Sequence, residues 1–587
     1  MPKSPQPKKS QGSPGGAGGT RRGGRGRIGG ARALLLGAVV LAAAAIPYAR
    51  TVHYDFVWDD KVLVGPQLDV HGPADLVRLW RTPFDTFLRD AALQKVYFRP
   101  AVLYSMAADR AVFGDDPAGY HAVNVAWYAL ACLFLWLLAW EISGRAVPAT
   151  AGAVLFALHP THPESAAFIS GRTDLMAGAF LFAALWAAAR FGPGAKPAWK
   201  KLLPAACLLL PGLYSKEIAL FAAPILPLVL WISDRRIRLR DLAVASVPVA
   251  AACALYLSSR VSVLGPHPIP AVSPVEGTMA QILTSVSVVA RYVPLLLLPI
   301  RLSARHEITV LHSPLHPLFL AGLLVIAASV AAFVLLLKRR SPWTVPVALF
   351  AATLYPVCWV RILSGALVAE RFLFVPGGAL APAVALLPLA VPTLLAGAAA
   401  AAVALTVLLA PRVGIWKNDG TLYKSMLRDA PESPFVHAIL ATYYYEKRDL
   451  PKAAYHNRRA FALQPSYTEA LLDLGAVEDE MGHEDSAFVS IRLLTRVKRD
   501  YAPGWYALGN LFAHTGDPDS ARWSYEHALA LMPDFPEAEN NLGAVLEQMG
   551  RNDEALAHYR KALALRPEYR DARNNLTRLT AELRKKP

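Results

Sequence analysis

The paired carboxylates Asp59 and Asp60 stand in the stretch HYDFVWDDKVLV, residues 53 to 64, a few residues beyond the first long apolar run of the chain. An acid pair at a bilayer edge can take a proton from a hydroxyl group. Cations that could balance a phosphate leaving group recur further along: Arg99 in YFRP, Arg172 in HPTHPESAAFISGRTD, Lys216 in YSKE and Arg371 in AERFLFVPG. His159, His162, Glu164 and Glu370 lie in the same motifs and are candidates for binding the remainder of a substrate. An acid and several cations together suit transfer from a lipid-borne phosphate ester to a hydroxyl beside the membrane. Asp59 and Asp60 are then the catalytic candidates, Arg371, Lys216 and Arg172 the phosphate binders, and Arg99 joins the substrate contacts.

Each motif also has a plainer reading. Asp59-Asp60 could be a solvated loop or a helix cap. Arg172 with Asp174, and Glu370 with Arg371, could be ion pairs at helix ends, and Lys216 could snorkel to the interface. His159 and His162 have a spacing seen in zinc sites, but Pro160 and Pro163 break the helix that would align them, and neither Cys nor an HExxH pattern accompanies them. Hydrogen bonding is therefore their expected role, and neither a metal nor a cofactor is expected.

These motifs must be positioned by apolar helices. With 587 residues the chain exceeds what one core usually organises. To about residue 411 it is a series of apolar runs, and beyond that it becomes polar and Tyr-rich. The runs 31–49, 121–142, 146–158, 174–190, 202–214, 217–233, 242–259, 316–337, 344–361, 374–391 and 393–411 read as about eleven membrane spans. A twelfth run, 279–300, is ambiguous, and its status decides on which side the C-terminal part lies. The fold class expected is all-α: a polytopic helix bundle, with an outer loop at 50–119, followed through a linker at 412–430 by a soluble helical array at 431–587.

The array shows a period of 34 residues. Pro431, Pro465, Pro533 and Pro567 share one node, Leu440, Leu474, Leu508, Leu542 and Leu576 another, and Gly475, Gly509 and Gly543 a third. Gly482, Gly516 and Gly550 recur likewise, as do Ala453, Ala487, Ala521 and Ala555. This is the tetratricopeptide pattern, here in about four units. Such units stack into a superhelix whose concave side suits an extended peptide.

The net charge of +16 invites a nucleic-acid partner, but its placement argues for none. Residues 1–32 hold eight Lys or Arg and no acid in a Gly/Pro/Ser background, which reads as a disordered cytoplasmic tail ending near residue 30. The clusters Arg235-Arg236-Arg238-Arg240 and Lys338-Arg339-Arg340 flank apolar runs, as topogenic charge does. The partner expected is the bilayer. The four cysteines, Cys132, Cys207, Cys253 and Cys358, lie within apolar runs and have no ligand spacing.

Read in order, DFVWDD, FRPAVLYSMAADRAVFGDDPAGYHAVN, HPTHPESAAFISGRTDLMA, YSKEIAL, AERFLFVPG and WKNDGTLYKSML, followed by the repeats, resemble the transmembrane-and-tetratricopeptide-repeat O-mannosyltransferase family over about residues 31–585. The resemblance implies a C-type glycosyltransferase fold and a polyprenyl-phosphate sugar as the lipid donor. It also implies a protein acceptor and a site on the luminal or periplasmic side. It places Asp59 or Asp60 at the family's acidic motif, and Glu370 and Arg371 at the motif near the phosphate. Ala- and Pro-rich composition and few repeats point to a bacterial member, in the inner membrane with its repeats in the periplasm. Two other functions fit the residues: a non-catalytic scaffold recruiting partners through the repeats, and the same fold glycosylating a lipid or polysaccharide.

Overall fold

The computed structural model describes residues 29–87, 97–266, 275–359 and 368–585. The basic tail, apart from its last residues, and parts of the expected outer loops lie outside the described residues. Among the described residues every regular element is a helix.

Seven helices are long and apolar enough to cross a membrane: Gly30–His53, Pro117–Ser143, Ile169–Phe191, Leu239–Leu264, Thr278–Leu297, Pro317–Lys338 and Val391–Lys417. Shorter apolar helices lie between them at Ala146–Ala157, Leu203–Leu213, Ile218–Ser233 and Thr344–Val357. The run 374–391, expected as one span, is broken into helices Phe374–Gly377 and Leu380–Leu386. Pro376, Gly377, Gly378, Pro382 and Pro388 explain the break, because proline removes a donor and glycine leaves the backbone loose.

Contacts sort the loops between two ends of the bundle. At one end Arg145 donates to the carbonyl of Leu387 at 2.6 Å, Lys201 pairs with Asp234 at 3.2 Å, and Arg340 donates to the Arg235 carbonyl at 3.0 Å while lying over the Trp231 ring. Both basic clusters thus share this end. At the other end the Asp55 amide donates to the Lys417 carbonyl at 3.0 Å and the Trp58 amide to Asp419 at 3.0 Å. The acidic loop and the entry to the repeats therefore share the opposite end.

An even number of passages must separate residues 60 and 417. The helix Thr278–Leu297 is the one that adds none, although its length and composition would allow it. Tyr292 and Leu296 bond to Ala369 and His159 at the acidic end, and the chain then folds back along the helix, with the Arg291 guanidinium on the Glu307 carbonyl and the Leu311 amide on Thr284. Thus the ambiguous run lies with the acidic end of the bundle.

The stretch 412–430 is itself helical over Asp419–Asp429, capped by Asn418, which accepts from the Thr421 amide at 3.0 Å. The repeats follow as four helix pairs, from Pro434–Glu446 with Leu450–Leu463 to Pro536–Gln548 with Asn552–Leu565, closed by Arg570–Lys585. The period has two steric causes. A Cβ on Gly509 or Gly543 would stand 2.6 or 2.8 Å from the ring of Tyr525 or Tyr559, so only glycine lets the paired helix approach. Gly482, Gly516 and Gly550 turn between helices at φ of +74°, +78° and +76°, where a side chain is strained.

Candidate functional site

The site is built from four segments meeting at the acidic end. The stretch 159–174 folds into the short helix Pro163–Ala166 and a 3-10 turn, Ile169–Gly171, before the helix that begins at Arg172. Gly171 permits this compact turn, since a Cβ there would lie 2.5 Å from the Ser165 carbonyl oxygen.

The two acids of the opening motif are held differently. Asp60 is fully buried. Its Oδ1 accepts from the Ser170 amide at 2.8 Å and hydroxyl at 2.6 Å, and its Oδ2 from the amides of Ile169 at 3.3 Å and Val57 at 3.4 Å. Burial still pushes its carboxyl up to about 7, against those hydrogen bonds. Asp60 thus fastens the first loop to the 165–171 turn. Asp59 is half-buried, and among the described residues no hydrogen bond reaches its carboxylate. Burial raises it above the usual carboxylate range, and the charge of Arg371 opposes the rise.

Arg371 is held by Glu164: the Arg371 amide donates to Oε2 at 3.0 Å and its guanidinium to Oε1 at 3.1 Å. Lys216 pairs with Asp174 at 2.6 Å and lies over the Phe372 ring. Burial draws its ammonium down, Asp174 opposes this, and Arg99 and Arg371 add to the fall. Arg99 pairs with Glu217 at 2.9 Å and lies over the Tyr97 ring at 4.3 Å. Asp59, Arg371, Glu164, Lys216 and Arg99 are thereby coupled as one charged cluster, in which Glu164 and Lys216 are buried.

Glu370 stands behind it. Fully buried, it accepts from the Ser303 amide at 2.5 Å and pairs with Arg412 at 2.6 Å, with His306 3.4 Å away, so it joins three segments and does not face the surface. Arg172 does not join the set either. Its guanidinium is buried and engaged by Asn124 at 2.7 Å, Ser105 at 3.1 Å, the Tyr120 carbonyl at 2.9 Å and Asp109. Four of its five N–H donors are so engaged, in the interior. His159 and His162 are also interior: His159 bonds Thr161 and the Leu296 carbonyl, and His162 bonds Tyr128 within a box made by Phe156 and Phe374. Among the described residues no three His, Cys, Asp or Glu groups gather as metal ligands.

Glu217 and Asp419 lacked a role in the sequence reading, since spacing could not tell which cation each would meet. Asp174, read there as a possible partner of Arg172, pairs instead with Lys216, and Arg172 with Asp109. Beside the site a cleft of about 630 Å³ is lined by Leu76, Val77, Trp80, Arg81, Tyr104, Ser262 and Val263, a mixed polar and apolar set. Trp80 packs on Phe98 and Tyr214, which flank Arg99 and Lys216 in sequence.

A 135-residue stretch, 23% of the chain, is 33% identical to Protein O-mannosyl-transferase Tmtc1 of Drosophila melanogaster and covers 16% of it. Another of 156 residues, 24% of the chain, is 27% identical to Protein O-mannosyl-transferase TMTC4 of Homo sapiens and covers 21% of it. The chain is similar to the TMTC protein O-mannosyl-transferases. The matched stretches thus span about a fifth of these relatives' length. The tetratricopeptide repeat family model matches residues 536–569, the fourth helix pair. Among solved structures, a thermophilic TPR protein of Thermus thermophilus is 27% identical, covering 30% of this chain and 95% of its own, with a TM-score of 0.25.

Proposed function

We propose that this chain is an integral-membrane glycosyltransferase that moves a sugar, mannose, from a polyprenyl-phosphate donor to a hydroxyl of a protein acceptor with inversion. The observation that carries this reading is Asp59, whose carboxylate accepts no hydrogen bond among the described residues and whose affinity for a proton is raised, within reach of the charge of Arg371 in a cluster with Lys216 and Arg99. Asp59 takes the proton of the acceptor hydroxyl as that oxygen attacks the anomeric carbon from the face opposite the phosphate. The bond from the anomeric carbon to the phosphate oxygen breaks, and its electrons pass to the polyprenyl phosphate. Arg371 and Lys216 stabilise the charge that develops there, with Arg99 beside them. Asp60 holds the loop, and Glu164 and Glu370 hold the cations.

In the repeats a hollow of about 290 Å³ is lined by Asn510, Asn541, Tyr525 and Gln548; Asn510 Oδ1 accepts from the Tyr525 hydroxyl and the Asn541 amide, which leaves the Asn510 amide nitrogen and Gln548 to meet a peptide main chain and so favours a protein over a lipid acceptor. The basic clusters occupy the end away from the acidic loop. The positive-inside rule then puts the site and the repeats outside, in the periplasm if the membrane is a bacterial inner membrane.

The test is transfer of radiolabelled mannose from synthetic polyprenyl-phosphate-mannose to endogenous membrane protein. Label with wild type and none with Asp59→Asn supports the reading. Silence of wild type with every polyprenyl-phosphate sugar would return the chain to the scaffold alternative.

A further inference from the structure

Trp58, the residue before Asp59, has a φ of +49°. A bulky side chain disfavours this left-handed region, at a cost of roughly 1–2 kcal/mol. Such a conformation persists only when its surroundings impose it. Here those surroundings come from the entry to the repeats. The Trp58 amide donates to Asp419 Oδ1 at 3.0 Å, and Asp419 Oδ2 pairs with Lys61 on the far side of the acid pair. Asp419 thus spans Asp59 and Asp60 from both sides. The Trp58 indole lies between Phe168, at 6.1 Å and near parallel, and Phe435 of the first repeat helix, also at 6.1 Å. Phe168 stacks in turn on Trp416 at 5.1 Å, and Arg305 lies over Phe435 at 4.3 Å.

Asp419 is itself fixed. It opens the helix whose Asn418 cap and Thr421 form a reciprocal capping box, and Tyr423 on that helix also bonds its carboxylate. A loop held only by the membrane helices would need no partner some 360 residues away; this one is held by the first helix after the bundle and the first helix of the repeats.

We infer that Asp419 is a positioning residue for Asp59: through the Trp58 amide it holds the acid's backbone in the conformation that aims the carboxylate at the acceptor, so that the repeat domain's first elements complete the catalytic loop. The inference rests on the proposed role of Asp59, but its structural content does not.

Two measurements on the full-length chain in detergent test it together. Hydrogen exchange is read over residues 55–63 in wild type, Asp419→Ala, Asp419→Asn and Phe435→Ala, with the helices from Glu469 to Leu565 as the folding control. Exchange in the loop rises in Asp419→Ala and less in Phe435→Ala. It stays near wild type in Asp419→Asn, whose amide oxygen still accepts from the Trp58 N–H. In the transfer assay kcat of Asp419→Ala falls by about tenfold to a hundredfold while KM for the lipid donor is unchanged, and Asp419→Asn restores most of the rate. A general structural role would instead lower the amount of folded protein and leave kcat per folded molecule intact. Unchanged exchange in Asp419→Ala overturns the inference, as does a fall in Asp419→Asn equal to that in Asp419→Ala. If Asp419→Ala fails the folding control, Phe435→Ala decides, and no rise in loop exchange there overturns the inference. If wild type transfers no label, the glycosyltransferase reading fails, and exchange still judges whether Asp419 holds the loop.

Discussion

The membrane bundle and the repeat array both bring helices together at glycine, but only the bundle does so against backbone in places and against rings in others. In the bundle the close approach is to backbone where a Cβ on Gly152 would stand 2.5 Å from the Ala381 carbonyl oxygen and one on Gly322 only 2.0 Å from that of Val286, and to rings where Gly178 meets Phe374 and Gly378 meets Phe182. In the array it is to side chains, Ile491, Tyr525 and Tyr559, each on the same lattice node. In lipid there is no hydrophobic force to pull helices together, so close backbone packing must supply association. In water, burial of a large side chain supplies it, and glycine makes room for the ring. The two halves also place their charges differently. In the bundle both partners of pairs such as Lys216–Asp174 and Arg412–Glu370 are largely buried, whereas in array pairs such as Arg448–Glu480, Arg458–Glu478 and Lys561–Glu539 at least the cation stays in solvent.

The largest effect that would sharpen this contrast lies in the buried acids. Asp59→Asn should lower the transfer rate by about 10²–10⁴ with the fold intact, the range lost with a general base. Asp60→Asn should instead lower stability. Asn cannot accept from both Ser170 and the Ile169 and Val57 amides, and stranding a buried donor costs about 1–3 kcal/mol. The sign of its pH dependence follows from the raised carboxyl. Between the ordinary value of about 4 and the folded value of about 7, the native state holds more protons than the unfolded chain, so stability falls as pH rises through this window. Asp60→Asn removes that slope, which thermal unfolding at several pH values would read. Equal loss of rate and of stability in both variants would break the distinction between base and fastener.

Next in size is the glycine comparison. Gly322→Leu meets a carbonyl that cannot turn aside and should prevent assembly of the bundle, seen as loss of the monodisperse peak in detergent. Gly543→Ala meets the edge of the Tyr559 ring, which can shift, and should cost about 1–3 kcal/mol while the array stays folded. If Gly543→Ala were the more damaging, the greater cost assigned to a backbone contact than to a ring contact would be wrong.

These contacts also explain what the sequence disclosed. The array was readable because each unit meets the same neighbour 34 residues on, so Leu474 and Leu508, or Gly509 and Gly543, repeat as types. The bundle has no such period. Asp59, Glu164, Lys216 and Arg371 could be singled out as ionisable groups at the edges of apolar runs, where charge is costly. What they touch could not be read, because Asp174 with Lys216 or Asp419 with Trp58 are pairings across the fold. By residue type Arg172 looked equal to Arg371. Only the neighbours Asn124, Ser105, Asp109 and Tyr120 show that one is a fastener, while the other faces Asp59. The break in 374–391 was visible as Pro and Gly, but hydropathy averaged over it.

A smaller effect separates the two arginines by pH. Asp59 works deprotonated, and burial raises its pKa while Arg371 opposes the rise, so the rate should fall on acidification through a limb above the ordinary carboxylate range. Arg371→Gln removes the opposing charge and should move this limb further up, besides lowering the maximal rate. Arg172→Gln, measured per folded molecule, should leave the limb in place. A limb that moved equally in both variants would mean that Arg371 holds structure as Arg172 does.

The smallest effect is expected at a departure from the array's lattice. Arg448 occupies the node held elsewhere by Gly482, Gly516 and Gly550 and has a φ of +60°. A side chain in this region costs about 1–2 kcal/mol relative to glycine. Arg448→Gly recovers that, but glycine loses about 0.5–1 kcal/mol more conformational entropy on folding. The variant also forfeits the pair with Glu480, whose Arg448 side chain is 70% exposed, and a pair so exposed contributes little. The terms nearly cancel and leave a gain of at most about 1 kcal/mol, whereas Gly516→Ala at the same node, where no favourable term offsets the strain, should lose about that much or more. Calorimetry of the full-length chain would show the first variant melting at or slightly above wild type and the second below it. Arg448→Gly melting well below wild type would mean that the ion pair outweighs backbone strain, and that even the soluble half relies on charge more than on its lattice.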